Sequence, residues 1–156
     1  MNEQEFTQRL QASGPMLYRV ACVMLYSPED RKDALQETAV KAWQHKGRLR
    51  EEKYFTTWLT RILLNECAAI QRKNRRTVPL NEWMEPSAPE KDMELRMLLE
   101  ALPEKQRAPL VLHYLEGFSL EEIARVQRVP LGTVKYRLHQ ARKALRVEMN
   151  GKEGEP

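Results

Sequence analysis

The chain has only two cysteines, Cys22 and Cys67, and three histidines, His45, His113 and His139, each standing alone. Two thiols are too few for a disulfide framework, and both sit among apolar neighbours at helical spacing, so buried free thiols are expected. Isolated histidines supply neither metal-ligand nor nucleophile–base spacing, so the residues suggest no catalytic group, no metal and no cofactor. Aromatics make up 7% of the chain and no apolar run is long enough to span a bilayer, which argues against a membrane span. Met1-Asn2-Glu3-Gln4-Glu5 lacks the basic start and apolar core of a signal peptide, so a cytoplasmic protein is expected. Strand-like alternation and internal repeats are also missing, which leaves an all-α fold.

What is present is charge, and its distribution is informative. The 156 residues are 42% hydrophobic and 31% charged, with a net charge of +4, as in a soluble globular protein of one domain or two small ones. From Arg128 to Arg146 there is no acidic residue. This run closes a helix-turn-helix pattern over Ser119 to Arg146. Ser119 and Glu122 form a capping box that starts a short helix near Leu120. Arg128-Val129-Pro130 breaks it, and a second helix starts near Leu131. In that helix Val134, Leu138, Ala141 and Leu145 share a narrow sector that must pack inward. Tyr136, His139, Gln140 and Lys143 then point outward, flanked by Lys135, Arg137, Arg142 and Arg146. An apolar side opposite an uncompensated basic side suits the major groove of DNA, though a solvated helix in a small bundle also fits the pattern.

Along the chain, Glu3 to Gln11 reads as a helix, Ser13-Gly14-Pro15 interrupts, and Leu17, Val20, Ala21, Met24 and Leu25 form a core stripe. Ser27-Pro28-Glu29-Asp30 opens a helix to about His45. In it Leu35, Ala39, Ala42 and Trp43 can face a core, leaving Asp33, Gln36 and Glu37 as an acidic, polar surface. A charged segment, Lys46 to Lys53, leads to an amphipathic helix bearing Phe55, Trp58, Leu59, Ile62, Leu63 and Ile70. Glu66 is the only acid between Tyr54 and Arg76, and the helix ends in Arg72, Lys73, Arg75 and Arg76. That is more cation than a helix C-terminus requires. Thr77 to Asp92 holds four acids, three prolines and no helical periodicity, and reads as a linker between two domains. Helical pattern resumes at Met93, breaks at Leu102-Pro103, and continues to Gly117.

Taken together, these segments resemble a bacterial sigma factor of the extracytoplasmic-function (ECF) group of the sigma-70 family, over nearly the whole chain. The resemblance rests on Asp33-x-x-Gln36-Glu37 with Lys41-Ala42-Trp43, and on Phe55-x-x-Trp58-Leu59-x-Arg61-Ile62-x-x-Asn65 with its basic extension. In the second half it rests on Gly117-Phe118-Ser119-Leu120-Glu121-Glu122-Ile123-Ala124 and on Gly132-Thr133-Val134-Lys135 with Arg137-Leu138-His139-x-Ala141-Arg142.

The resemblance implies two small helical domains joined by a flexible linker. Residues 1–76 would be sigma domain 2, 77–92 the linker, 93–149 sigma domain 4 with the helix-turn-helix, and 150–156 a disordered tail. It also implies a non-enzymatic initiation factor that binds core RNA polymerase, recognises promoter DNA and has an anti-sigma partner. Asp33, Gln36 and Glu37 would dock on the polymerase. The segment from Lys46 to Phe55 would capture a flipped base of the minus-ten element, together with Trp58, Arg61, Asn65, Arg72, Lys73, Arg75 and Arg76. Arg128, Thr133, Lys135, Tyr136, Arg137, His139, Gln140, Arg142 and Lys143 would form the minus-thirty-five surface. Tyr136 and Gln140 depart from the small polar residue and the arginine common there, so the base preference is this chain's own. A stand-alone helix-turn-helix transcriptional regulator and a helical scaffold are the competing readings.

Overall fold

The structure is a computed structural model that describes residues 1–77 and 97–153, with side chains over 1–75 and 97–146. The chain forms two compact units, Met1–Glu82 and Trp83–Pro156. Every regular element among the described residues is helical.

The first unit holds α1 (Glu3–Ala12), α2 (Gly14–Met24), α3 (Pro28–Gln44) and α4 (Phe55–Thr77). Local chemistry sets the helix starts. The Asn2 side chain accepts from the Glu5 amide at 2.8 Å, and Ser27 caps α3, with Pro28 and two acids in its first turn. These groups satisfy otherwise orphaned N–H donors and favour the positive end of the helix dipole. α3 and α4 pack along one another, and α2 lies against both. Leu17, Val20, Ala21, Met24 and Leu25 are all buried, as their spacing indicates.

In α3 the packed face is Ala34, Thr38 and Ala42, so that of the expected stripe Ala42 alone is buried. Leu35 and Ala39 are only half-buried and Trp43 is 40% exposed. Thr38 enters the core because its hydroxyl donates to the Ala34 carbonyl at 2.6 Å, so no polar group is left unpaired. Hydrophobic pattern alone passes over such a residue. Phe6 of α1, also absent from the expected core, is 3% exposed and is the hub of an aromatic cluster. Its ring meets Phe55, Trp43 and Trp58 nearly edge-on at centroid distances of 5.5, 6.0 and 6.1 Å. Cys67 is a buried free thiol, whereas Cys22 is only partly covered.

The second unit holds α5 (Glu104–Tyr114), α6 (Leu120–Gln127) and α7 (Leu131–Glu153), preceded by helical residues 97–100. α5 and α6 both pack on α7. The buried Arg107 side chain donates to the Leu102 and Glu100 carbonyls at 2.9 and 3.2 Å, closing the break at Leu102-Pro103. Pro109 lies inside α5 and has no N–H for the Lys105 carbonyl. The Gln127 amide approaches that carbonyl at 3.5 Å instead.

The capping box forms in both directions, Glu122 N to Ser119 Oγ and Ser119 N to Glu122 Oε1, each at 3.0 Å. Ser119→Ala is expected to cost the second unit about 1 kcal/mol, readable in a urea melt. The expected linker, apart from Thr77, lies outside the described residues, as do the side chain of Arg76 and residues 154–156; α7 itself continues to Glu153, past the tail boundary expected at residue 150.

Candidate nucleic-acid and polymerase interfaces

Asp33, Gln36 and Glu37 are all exposed on α3, and spacings of three and four residues put them on one face. Val40, 48% exposed, continues that stripe. Sequence reasoning missed it, although its place seven residues beyond Asp33 is a readable signal. Beside the stripe is a shallow groove lined by Tyr18, Pro28, Arg31, Lys32, Leu35 and Gln36. At the edge of that stripe, four residues beyond Glu37, Lys41 pairs with Glu66 of α4, which is 9% exposed. The hydrogen bond that Lys41 donates to the Glu66 carboxylate raises the Lys41 pKa, opposed by desolvation and supported by the fields of Glu66 and Glu37. The acidic stripe is therefore braced against α4.

On α4, Trp58, Arg61, Asn65 and Arg72 fall within a sector of about 60° at 3.6 residues per turn. Trp58 and Arg61 are half-buried, whereas Asn65 and Arg72 are exposed. The structure thus brings together an indole, an amide and two guanidinium-bearing residues along one face. Arg75 lies about 40° beyond one edge of this sector and Lys73 about 60° beyond the other, with the far side of the helix separating the two. Between them Gln71 donates to the Met24 carbonyl at 2.7 Å and Asn74 to Asp30 Oδ2 at 2.9 Å. These two amides fasten the basic end of α4 to the α2–α3 junction, while Arg72, Lys73 and Arg75 stay at the surface.

The segment before α4 consists of two short 3-10 turns, Lys46–Arg48 and Glu52–Tyr54. Lys46 Nζ lies 3.3 Å from the centroid of the Trp43 ring, a cation–π contact.

On α7, Val134, Leu138 and Ala141 are buried, and Lys135, Tyr136, His139, Arg142, Lys143 and Arg146 are exposed, Tyr136 at 63%. Tyr136, His139 and Lys143 occupy the centre of the outward face, within about 60° of one another. Gln140 departs from its expected outward place: it is half-buried and lines a groove with Leu98, Ala101, Leu102, Gln106, Lys143 and Ala144. Thr133 and Arg137 are half-buried on the same flank. Arg142, on the opposite flank, is hydrogen-bonded to the Tyr114 hydroxyl of α5. Tyr114 packs edge-on against His113, whose Nδ1 is 2.8 Å from the Phe118 carbonyl.

Arg128, in the turn, is exposed and left-handed, with φ 55. Glycine would take that conformation more cheaply, and an arginine kept there points to a use for its side chain. Arg128→Gly is expected to stabilise the unit by about 1 kcal/mol in a thermal melt while weakening duplex binding.

A helix-turn-helix with an uncompensated basic outer face places the chain in the class of helical DNA-binding transcription proteins. Comparison with known proteins narrows the class. Residues 10–77 match Sigma-70 region 2 and residues 92–145 match Sigma-70 region 4. The chain is 32% identical over 147 residues to the ECF RNA polymerase sigma factor SigM of Mycobacterium tuberculosis, covering 90% of this chain and 74% of that protein. It is 33% identical over 145 residues to the ECF RNA polymerase sigma-E factor of Escherichia coli K12, covering 79% and 76%.

Among solved structures, the sigma factor RpoE in complex with the anti-sigma factor NepR from Bartonella quintana aligns with a TM-score of 0.78 at 25% identity, covering 94% of this chain and 98% of that one. CnrH in complex with the cytosolic domain of CnrY aligns with a TM-score of 0.77 at 25% identity, covering 96% and 90%. The chain belongs to the sigma-70 family, in its ECF group, and directs promoter recognition and transcription initiation with core RNA polymerase.

Proposed function

We propose that the exposed faces divide the work of initiation. The α3 stripe of Asp33, Gln36 and Glu37, extended by Val40, docks on core polymerase. The α4 face of Trp58, Arg61, Asn65 and Arg72, with Lys73, Arg75 and Arg76 nearby and the 46–55 segment ahead, holds the melted minus-ten strand. Stacking surface beside cations is the chemistry that single-strand binding requires. On α7 and its preceding turn, Arg128, Lys135, Arg142 and Lys143 contact phosphates, while Tyr136 and His139 at the centre of the face meet base edges in the minus-thirty-five element. Thr133, Arg137 and Gln140, turned to the flank, adjust the fit of the helix.

Residues 77–92 link domains at 1–76 and 93–149. The polymerase performs the chemistry, and the factor works in the cytoplasm without enzymatic activity of its own. The observation that carries this reading is the separation of an acidic docking stripe on α3 from the basic-aromatic face of α4 within the same unit. One structural relative is held by an anti-sigma factor, NepR, and another by the cytosolic domain of CnrY, and an anti-sigma protein that covers these faces is proposed here too.

Reconstituted transcription with core enzyme tests the whole reading: initiation at defined start sites is expected, and a chain that neither binds core nor directs initiation would sink it. Neutralising Asp33 and Glu37 together (Asp33→Asn, Glu37→Gln) should weaken core binding roughly tenfold, mostly through a slower on-rate at low salt. Surface plasmon resonance at two salt concentrations reads both effects.

A further inference from the structure

The region 2 match begins at residue 10, yet three residues ahead of it control the segment from Lys46 to Phe55. Glu3, Phe6 and Arg9 recur every three residues, so all three project from one side of α1. Glu3 Oε1 is 3.3 Å from Lys46 Nζ, and that ammonium lies on the Trp43 ring. Phe6 supports Phe55 and Trp58 from below. Arg9 makes two contacts: its Cζ is 4.6 Å from the centroid of the Phe55 ring, and Nη2 donates to the Glu52 carbonyl at 3.1 Å. Both ends of the segment, Lys46 and Glu52–Phe55, are thus held by α1. Arg48, Arg50, Glu51 and Lys53 remain exposed on its outer side.

Beyond α1, the Met1 ammonium meets Glu52 Oε1 at 2.9 Å, the Thr57 hydroxyl donates to the Tyr54 carbonyl at 3.0 Å, and Lys53 pairs with Glu51 at 3.4 Å. The segment's own backbone contributes Arg48 N to His45 O at 2.9 Å, Leu49 N to Lys46 O at 3.3 Å and Tyr54 N to Glu51 O at 3.1 Å, and 3-10 turns of this length are weak by themselves. A segment that must meet a single strand gains affinity when its shape exists before binding, because the ordering entropy is then not lost on association.

We propose that α1 is the element that preorganises the 46–55 segment for the single-stranded non-template DNA, and that Arg9 is its principal positioning residue. This rests on the assignment of that segment and of α4 to the minus-ten strand. Arg9 touches no DNA. It clamps the last turn before α4 from behind, which sets where the exposed residues of the segment stand relative to Trp58 and Arg61.

The test uses the full chain assembled with core polymerase and a fluorescent single-stranded oligonucleotide recovered from a randomised pool by the wild-type holoenzyme. Arg9→Ala should weaken oligonucleotide binding by about tenfold, the scale of one lost hydrogen bond from a charged donor. Arg9→Lys keeps a cation over the Phe55 ring and should recover part of that loss. Core affinity, which depends on α3, should not change, and hydrogen exchange at the Leu49 and Tyr54 amides should accelerate in Arg9→Ala.

Equal losses of core and oligonucleotide binding, or unaltered exchange at those two amides, would overturn the positioning role. Arg61→Ala separates the layers of the argument. If it weakens oligonucleotide binding and neither Arg9 variant does, the role of α1 falls alone. If Arg61→Ala has no effect, the minus-ten assignment falls and takes this inference with it.

Discussion

Phe6→Ala should lower the stability of the first unit by about 3–5 kcal/mol, the range for removing a fully packed aromatic ring. The ring is 3% exposed and meets three other aromatic rings, one from α3 and two from α4. Edge-on ring pairs add about 0.5–1.5 kcal/mol each beyond the area they bury, so the upper part of that range is favoured. A shift of α1 into the cavity would disturb the Arg9–Glu52 and Glu3–Lys46 contacts and the Met1–Glu52 ion pair, so the cavity is not refilled at no cost. A small domain has about 5–15 kcal/mol in total, so the variant should sit near its unfolding threshold at 37 °C. Phe6→Leu keeps most of the volume and should cost less than half as much. Urea unfolding followed by circular dichroism checks this. The transition of the first unit should move to lower urea with its slope preserved, while the transition of the helix-turn-helix unit stays in place. A Phe6→Ala chain as stable as wild type would show that the aromatic cluster is not a core.

The difference between what the sequence discloses and what the structure adds follows from the physics of each feature. Helix starts were legible because capping is local: Ser27-Pro28 and the Ser119–Glu122 box lie where the residues indicate. The inward face of α7 was legible because Val134, Leu138 and Ala141 are apolar, evenly spaced and opposed by cations. The register of α3 was not, since Thr38 at 0% exposure enters the core on the strength of a hydrogen bond to its own helix, which no hydropathy pattern encodes. Phe6 was hidden for a different reason. It is a lone aromatic in a polar helix, and its partners Trp43, Phe55 and Trp58 are distant in sequence, so only the fold brings them together.

The candidate sites divide in the same way. Positions of charged and polar groups on a helix face, such as Asp33, Gln36 and Glu37, follow from periodicity. Flank-to-groove placements such as that of Gln140, which depend on the neighbouring helical residues 97–101, do not.

Replacing Arg128, Lys135, Arg142 and Lys143 with glutamine should reduce affinity for a duplex carrying the upstream promoter element by about three orders of magnitude at 0.15 M salt. The estimate follows from counterion release: four lost phosphate contacts make the dependence of log K on log salt shallower by about 3.6, and the loss at physiological salt follows from that slope. All four side chains are exposed, so the fold should be retained, with a small gain at residue 128 only if glycine rather than glutamine is used there. Arg142 differs from the other three because the Tyr114 hydroxyl engages its guanidinium and limits the directions in which it can point. It should therefore account for more than a quarter of the loss, and Tyr114→Phe should reproduce part of its effect without changing the salt slope, since no charge is removed. Tyr136→Ala provides the contrasting case. It should leave the slope unaltered and reduce discrimination between the selected duplex and a scrambled one by ~1–3 kcal/mol, the scale of a base-edge contact. Fluorescence anisotropy of the holoenzyme on both duplexes between low and high salt measures all of these quantities. A salt slope that does not change in the four-residue variant would show that the basic side of α7 faces solvent rather than the phosphate backbone.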